Sequence, residues 1–285
     1  MEERQTGKSN YRPEWVAGYF DEFGGREWKR LVATPVDEVS LYIHTHYLRQ
    51  YVPAGARVLE IGAGAGRFTQ VLANLGVLVL VADISRVQLD LNRQHAQEYG
   101  FIQAVEAWHQ VDMCDMAQFD LDSFDCVVAY GAPLSYVLDQ RHVALRECVR
   151  VLKPGGTLLA SVGALWGSAH RRLDGVLNVT PLENNQTITD TGDLTPETFP
   201  GGRHFAHMFR AGEFRDFLTQ AGLTILALSA SNCLSLGWED LLAEIREDDA
   251  KWQELLRMEL EACAEPGCLD MGTHLIGVAR KAASI

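Results

Sequence analysis

The chain has 285 residues, of which 47% are hydrophobic, so it can bury a large core in one domain or in two small ones. Its formal net charge is -13, and a surface of that sign repels phosphate backbones, which argues against nucleic acid as a partner. The only short basic cluster is Arg171-Arg172. The six cysteines are scattered without zinc spacing, so we expect reduced thiols and no metal. No signal-like or membrane-spanning apolar run is visible, and we expect a cytoplasmic protein without a membrane partner.

The N-terminal part is predicted to form a helical cover over residues 11–56, after a polar segment at 1–10 that we expect to be disordered. A helix is predicted to begin at Thr34-Pro35, because threonine can cap it and proline suits its first turn. His44 and His46 are expected on a solvated face of this helix. The aromatic side chains before it either pack over a ligand site or belong to the core. These are Tyr11, Trp15, Tyr19, Phe20, Phe23 and Trp28.

Apolar runs alternate with segments of helical spacing from about residue 57 to 162. Continuous apolar strands joined by helical crossovers are typical of a parallel sheet covered on both faces. Residues 163–209 are polar and rich in proline and glycine, which predicts an irregular lid insertion or disorder. A helix, a sixth strand, further helices and a last strand follow, so we predict one α/β domain over 57–285.

The strongest local signal lies at residues 58–67, which read V-L-E-I-G-A-G-A-G-R. Such a turn lets a ligand approach the main chain where an open α/β sheet has its crevice, although it can also serve close packing alone. A dinucleotide fingerprint needs a third glycine where this chain has Arg67, and no P-loop lysine follows. Glu60, a charge inside an apolar strand, is expected to hold backbone amides or water near a cofactor.

At these residues the sequence resembles the class I S-adenosylmethionine (SAM)-dependent methyltransferases, and the resemblance covers about 57–162. It implies a Rossmann-like, doubly wound, seven-stranded and mostly parallel sheet with an antiparallel last strand. It also implies SAM as cofactor and S-adenosylhomocysteine (SAH) as product. Asp83 resembles the ribose-binding acid, although it can instead cap the helix at Ser85, and Asp112 resembles an adenine-binding acid or is a surface acid. The implied cofactor contacts are Glu60, Gly62, Ala63, Gly64, Gly66, Asp83, Ile84, Asp112, Met113 and Tyr130.

The acceptor is expected between the fourth strand's end, the N-terminal cover and the insertion. The fourth strand ends Y-G-A-P, unlike the Asn-Pro-Pro-Tyr-like tetrad of the family members that methylate nucleic acid or glutamine. Candidate catalytic residues are His204, His207 and Tyr130, and candidate acceptor contacts are Tyr19, His207 and Arg210. The histidines and Arg210 can equally be polar residues that cap the next helix.

The sequence therefore predicts methyl transfer from SAM to an oxygen or nitrogen of a small-molecule acceptor. The alternatives are a non-catalytic SAM- or SAH-binding protein of the same fold and a protein methyltransferase. An NAD-dependent oxidoreductase is disfavoured by Arg67. The sequence indicates no oligomeric state.

Overall fold

The computed structural model describes residues 9–283. The disorder predicted for residues 1–10 falls outside this range except at Ser9 and Asn10. The Ser9 hydroxyl and the Asn10 amide both donate to the Asp139 carboxylate, over 3.1 and 3.0 Å.

A twisted sheet forms the centre of the fold, with strand order β3-β2-β1-β4-β5-β9-β8. The first five of its strands are parallel, and β9 runs antiparallel to both of its neighbours, β5 and β8. This confirms the predicted seven-stranded, mostly parallel sheet with an antiparallel last strand. The strands are β1 (Arg57–Ile61), β2 (Leu78–Asp83), β3 (Val105–Gln110), β4 (Phe124–Ala129), β5 (Leu152–Gly163), β6 (Asp193–Leu194), β7 (Ala206–His207), β8 (Leu223–Ala230) and β9 (His274–Lys281).

The helices lie on both faces of the sheet and begin where the cap signals place them. The Thr34 hydroxyl accepts the amide of Asp37 over 3.3 Å at the start of α3, and the Ser85 hydroxyl accepts the amide of Gln88 over 3.1 Å at the start of α5. The helices are α1 (Pro13–Phe23), α2 (Arg26–Arg30), α3 (Pro35–Tyr51), α4 (Arg67–Asn74), α5 (Arg86–Glu98), α6 (Pro133–Tyr136), α7 (Arg141–Val151), α8 (Leu165–Arg171), α9 (Leu173–Asn178), α10 (Leu182–Thr191), α11 (Ala211–Gln220), α12 (Glu239–Arg246) and α13 (Asp249–Ala264).

Residues 163–209 are more regular than the sequence predicts, because they contain α8, α9, α10 and the small ribbon β6–β7. Polar side chains bond to backbone within the insertion: the Asn185 amide donates to the Val176 carbonyl over 3.0 Å, and Asn184 donates to Thr198 over 3.0 Å. Several leucines of these helices stay exposed, Leu177 by 54%. Helical order here therefore does not follow from burial of an apolar face, which is the signal on which the sequence prediction depended.

The two faces of the sheet bury separate cores. Alternate strand residues point to opposite faces, so Leu59 belongs to the core that contains Phe124 and Phe214, while its neighbour Val58 belongs to the core that contains Ile43. The strand order reverses between β1 and β4, and the carboxyl ends of these two strands open a crevice between them. No helix among residues 9–283 is long and apolar enough to cross a bilayer.

A buried carboxylate on α13 holds the loop that follows β8. Glu259 is fully buried, and its two oxygens accept the amides of Cys233, Leu234 and Ser235 over 2.9 to 3.2 Å. The Ser235 hydroxyl also donates to it. The negative charge is thus compensated by backbone donors, which orient this loop.

We expect Glu259→Gln to lower the free energy of unfolding by about 3 kcal/mol, since hydrogen bonds to a charged group contribute about 1.5–3 kcal/mol and the new amide places a donor against donors. Urea unfolding measures this. The matched control is Glu261→Gln on the same helix, where the exposed pair with Arg257 should contribute less than about 1 kcal/mol. A loss in Glu259→Gln no larger than that of the control would contradict the anchoring role.

Candidate active site

The turn between β1 and α4 requires glycine by conformation and by space. Gly62, Gly64 and Gly66 have φ values of 71°, 54° and 99°, in the left-handed region. A Cβ on Gly62 would lie 2.7 Å from the Cβ of Pro133. The amide of Gly62 donates to the Ala82 carbonyl over 2.9 Å, so the turn is fixed to the end of β2.

Asp83 ends β2 and binds the glycine turn to the start of α5. Its Oδ2 accepts the amide of Gly64 and its Oδ1 accepts the amide of Ser85, both over 2.8 Å. The side chain lines the crevice, and burial raises its pKa to about 6. The carboxylate thus borders the crevice and also supports Ser85, the residue that caps α5, and the ribose contact stays a prediction.

Glu60 lies behind the turn instead of facing the crevice. Its Oε2 accepts the Thr69 hydroxyl over 2.6 Å, and that hydroxyl accepts the Asn92 amide over 2.9 Å. Burial raises the Glu60 pKa to about 8, so the protonated form predominates at neutral pH. The partner of Glu60 is thus a hydroxyl of α4 and not the backbone amides or water that its place in an apolar strand predicts. Asn92 also packs against Gly66, where a Cβ would lie 3.0 Å from its side-chain amide.

The third strand's end contributes an acid and an apolar wall. The Asp112 Oδ1 accepts the Tyr11 hydroxyl over 2.9 Å and the Cys114 amide over 2.8 Å. The neighbouring Met113 lines the crevice, as does Ile84 after β2. Tyr11 therefore joins the N-terminal cover to the edge of the crevice.

Helices α1 and α2 close the crevice, α1 through polar contacts and α2 also through the buried ring of Trp28, which stacks on His95. The Asp21 carboxylate accepts the Ser85 hydroxyl over 2.5 Å, and the Gln88 amide donates to the Phe20 carbonyl over 2.8 Å. The Arg67 guanidinium lies 3.8 Å from the centre of the Trp28 ring. The covered crevice, called the cofactor cleft below, has a volume of about 790 Å³ including its open mouth.

Two residues that the sequence analysis did not single out lie over the glycine turn. Arg30 and Glu27 of α2 form a two-pronged ion pair over 2.7 and 2.8 Å. A Cβ on Gly64 would lie 3.2 Å from Glu27, so this pair covers the turn directly. In the sequence, the only sign of this pair is a glutamate and an arginine three residues apart, and ordinary ion pairs on helix surfaces have the same spacing.

Tyr130, which follows β4, and His44 of α3 are both buried, and for His44 this differs from the sequence prediction. Tyr130 lines the cleft, and its hydroxyl has no hydrogen-bond partner among residues 9–283. Burial raises its pKa well above the usual range, so it stays protonated. His44 was expected on a solvated face, but it is 3% exposed, and burial lowers its pKa to about 4. The face of α3 that carries His44 packs on Phe68 and Tyr130, while His46 is half-buried.

His204 lies where the insertion meets the cover. Its ring stacks on Tyr19 with centres 4.2 Å apart and lies 4.4 Å from the Tyr136 ring. Burial lowers the His204 pKa to about 4, so the ring is neutral at physiological pH. Its Nε2 is buried and has no hydrogen-bond partner in the described part of the chain. Tyr19 therefore positions His204 by stacking and does not line the cofactor cleft itself.

His207 and Arg210 hold the base of the insertion and do not line the cofactor cleft. The His207 ring is fully buried, with Nδ1 2.7 Å from the Asp193 carboxylate and Nε2 2.7 Å from that of Glu213. Arg210 donates to the Thr189 carbonyl at the end of α10. These contacts join β6, β7 and α11, so both residues act here as structural anchors of the insertion.

Comparison with known proteins gives one family model, described as a methyltransferase domain, which matches residues 58–156. The ubiquinone biosynthesis O-methyltransferase of Xanthomonas axonopodis pv. citri is 29% identical over 178 residues, which cover 61% of this chain and 64% of that protein. The chain thus spans somewhat less than two thirds of the length of this curated relative.

Solved structures share the fold at lower identity. A SAM-dependent methyltransferase from Methanosarcina mazei superposes with a TM-score of 0.58 at 21% identity, covering 84% of this chain and 98% of that one. The 1,6-didemethyltoxoflavin-N1-methyltransferase of Burkholderia thailandensis, solved with its acceptor and SAH, gives 0.55 at 16% identity, covering 94% and 88%.

We expect His207→Gln to destabilise the fold by about 2 kcal/mol below pH 6.5, because two buried hydrogen bonds to carboxylates are weakened. Burial lowers the His207 pKa, but Asp193 and Glu213 more than offset this, so the pKa is raised in the folded chain. A raised pKa contributes stability that is present below the unfolded value and is lost as the pH rises through the folded value. The difference between wild type and variant should therefore shrink at higher pH.

Chemical unfolding at about pH 6 and about pH 9 tests this linkage. His46→Gln on α3 is the control, because His46 has no carboxylate partner among residues 9–283. The ion-pair assignment would be contradicted if the stability difference between wild type and His207→Gln grew with pH. It would also be contradicted if that difference equalled the one for His46→Gln at both pH values.

Proposed function

We propose that this chain, which belongs to the class I S-adenosylmethionine-dependent methyltransferases, transfers a methyl group from SAM to an oxygen or nitrogen of a small-molecule acceptor. The observation that carries the proposal is the cofactor cleft, where the glycine turn and Asp83 meet at the reversal of strand order. The relatives support it, since one is named an O-methyltransferase and a structural neighbour is named an N-methyltransferase of a small heterocycle.

The residues of the cleft fit SAM in their chemistry. The glycine turn borders the cleft at Ala63 and Gly64, and Asp83 offers carboxylate lone pairs to ribose hydroxyls. Ile84 and Met113 offer apolar contacts to the adenine ring, and Asp112 is held at its edge by Tyr11. We propose that Ala63 and Gly64 contact the cofactor directly and that Glu60 and Gly66 support the turn from behind. Tyr130 closes the floor of the cleft.

When bound, SAM supplies a methyl group on a positively charged sulfur, so the leaving group needs no protonation. The tasks of the chain are to orient the acceptor, to exclude water and to remove a proton from the acceptor's hydroxyl or amine. Helices α1 and α2 cover the cleft and exclude water. His204 is neutral and has a buried Nε2 without a partner, which makes it our candidate for the proton acceptor. The cover over the cleft favours a small acceptor over a protein side chain.

We expect Asp83→Ala to weaken SAH binding about 30- to 150-fold, corresponding to about 2–3 kcal/mol for lost charge-assisted hydrogen bonds. Asp83→Asn keeps one acceptor oxygen, so its affinity for SAH should fall between those of wild type and Asp83→Ala. Calorimetry gives the affinity and a melting curve gives the stability of each variant.

The control is Thr34→Ala, which removes the cap of α3 at a cost of about 1 kcal/mol in stability and does not touch the lining of the cofactor cleft. It should bind SAH nearly as well as wild type. If Asp83→Ala loses stability but binds SAH as well as Thr34→Ala does, Asp83 is a structural residue and the ribose contact must be withdrawn.

We expect a screen of small hydroxyl and amine acceptors to yield SAH with at least one compound, and His204→Gln to lower kcat/KM for it by about 100-fold. This is the low end of general-base effects, because a base of low pKa is weak. The acid limb of kcat/KM should lie near pH 4, where His204 protonates, since burial and the Arg30 charge hold its pKa down. SAH affinity should be unchanged, and His46→Gln should behave as wild type.

An acid limb that persists unchanged in His204→Gln would assign the proton transfer to another group. Tight SAM binding without turnover on the whole acceptor set would overturn the methyl-transfer proposal in favour of a non-catalytic SAM-binding protein.

A further inference from the structure

A second, larger cavity adjoins the cofactor cleft on the side of β5. Its volume is about 1400 Å³ including its open mouth, and it lies between α2, α8 and the carboxyl ends of β4 and β5. It shares Arg30 and Tyr136 with the cofactor cleft, so these two side chains form the wall between the cavities. His204 also lines it. A molecule in this cavity therefore borders both the cofactor cleft and the candidate base.

The lining of this cavity, called the basic cavity below, is cationic although the whole chain has a net charge of -13. Asp37 is the only carboxylate that lines it within residues 9–283. The cationic side chains of the lining are Arg26, Lys29, Arg30, Arg171 and Arg172. The Arg171-Arg172 pair, which stood alone in the sequence as a basic cluster, is thus brought next to the basic face of α2 by the fold.

Two of these cations are already compensated within the protein. Arg30 pairs with Glu27, and Arg171 pairs with Asp37 over 3.3 Å. Both arginines are partly buried, and the two pairs carry no net charge for a ligand.

The other three cations have no ion-pair partner among residues 9–283. Arg26 donates to two backbone carbonyls, those of Phe23 and Glu22, while Lys29 and Arg172 are exposed at the mouth. The excess of positive charge faces the cavity opening, where no carboxylate of the lining opposes it.

The buried histidines of the cavity do not add to this charge. Burial lowers the pKa of His274 to about 3 and that of His204 to about 4. The positive potential therefore comes from arginine and lysine and persists across the physiological pH range. Guanidinium and ammonium groups at the mouth of a cavity attract anions and bind oxyanions through charge-assisted hydrogen bonds.

We propose that the basic cavity binds the anionic part of the acceptor, a carboxylate or a phosphate group, while the nucleophilic oxygen or nitrogen of the same molecule reaches past Tyr136 into the cofactor cleft. This inference rests on the proposed methyl transfer. If the inference holds, the acceptor is a small acid, and Lys29 and Arg172 select acids over neutral molecules. The anionic surface elsewhere on the chain repels such acids, so the cavity mouth is where they are drawn in.

Calorimetry on SAH-saturated protein at low salt tests the charge selection directly. The probes are two matched pairs: 3,4-dihydroxybenzoate with its neutral amide, and phenyl phosphate with phenol. We expect the acid of at least one pair to bind at least about tenfold more tightly than its neutral partner, a preference that falls as salt screens the cations. The pair with the larger preference distinguishes carboxylate from phosphate.

The variants Lys29→Gln and Arg172→Gln separate this cavity from general electrostatics. Their combination should abolish most of the acid preference, while the affinities for SAH and for the neutral probes stay within about twofold of wild type. The control is Arg215→Gln, which removes an exposed arginine of α11 that has no ion pair among residues 9–283. It should leave the acid preference intact.

Equal binding of the acids and their neutral partners, or no binding of either acid, would overturn the inference. So would an acid preference that Lys29→Gln with Arg172→Gln leaves unchanged. Methylation of neutral acceptors alone would also overturn it, while leaving the proposed function intact. Conversely, acid binding that depends on Lys29 and Arg172, with no acceptor methylated in the presence of SAM, would support the anion site and overturn the proposed function.

Discussion

The hydrogen bond from the Gly64 amide to the Asp83 carboxylate joins the ends of β1 and β2, and the cofactor cleft depends on it. Without it the turn after β1 would be held to β2 only by the amides of Gly62 and Ala63, which both donate to the Ala82 carbonyl. The left-handed glycines make this short connection possible, and the buried carboxylate gives the turn an acceptor that water would otherwise provide. The same interaction places a carboxylate at the border of the cleft, so the support of the turn and the proposed ribose contact depend on one side chain.

The two cavities differ in the charge of their linings. Two carboxylates, Glu27 and Asp83, and two cations, Arg30 and Arg67, line the cofactor cleft, so its lining is balanced in charge. Burial raises the pKa of Asp83 to about 6, and the nearby Glu27 carboxylate adds to this shift. The basic cavity beyond Arg30 and Tyr136 favours an anion. The Glu27–Arg30 pair lies at this boundary and keeps the two charge environments apart.

The parts of the fold and site that could be predicted from the sequence are those set by neighbouring residues. The caps at Thr34 and Ser85, the order of strands and helices and the glycine turn all follow from spacings of a few residues. The role of His207 could not be predicted in this way, because its partner Asp193 is 14 residues away on another strand. The burial of His44 is a second case, since it depends on which face of α3 packs on Tyr130. The basic cavity is a third case, because α2 and α8 are far apart in the sequence and only the fold brings their cationic side chains together.

The way in which the cover is attached bears on how ligands enter the cleft. Helix α1 has no buried side chain along its length, and hydrogen bonds join its Asp21 to Ser85 and its Phe20 carbonyl to Gln88 of α5. Helix α2 is held more firmly, because its Trp28 is buried and stacks on His95 of α5. Hydrogen bonds like those of α1 can be exchanged for water at a net cost of about 1 kcal/mol each, whereas separating the strands of the sheet would expose two continuous cores. Moving α1 is thus far less costly than any change in the sheet. Helix α1 borders the cofactor cleft through Phe20 and the basic cavity through Phe23, so a movement of α1 would change access to both sites. The sheet fixes the proposed cofactor site, while α1, which is held mainly by polar contacts, is the part of the cover that can admit the reactants.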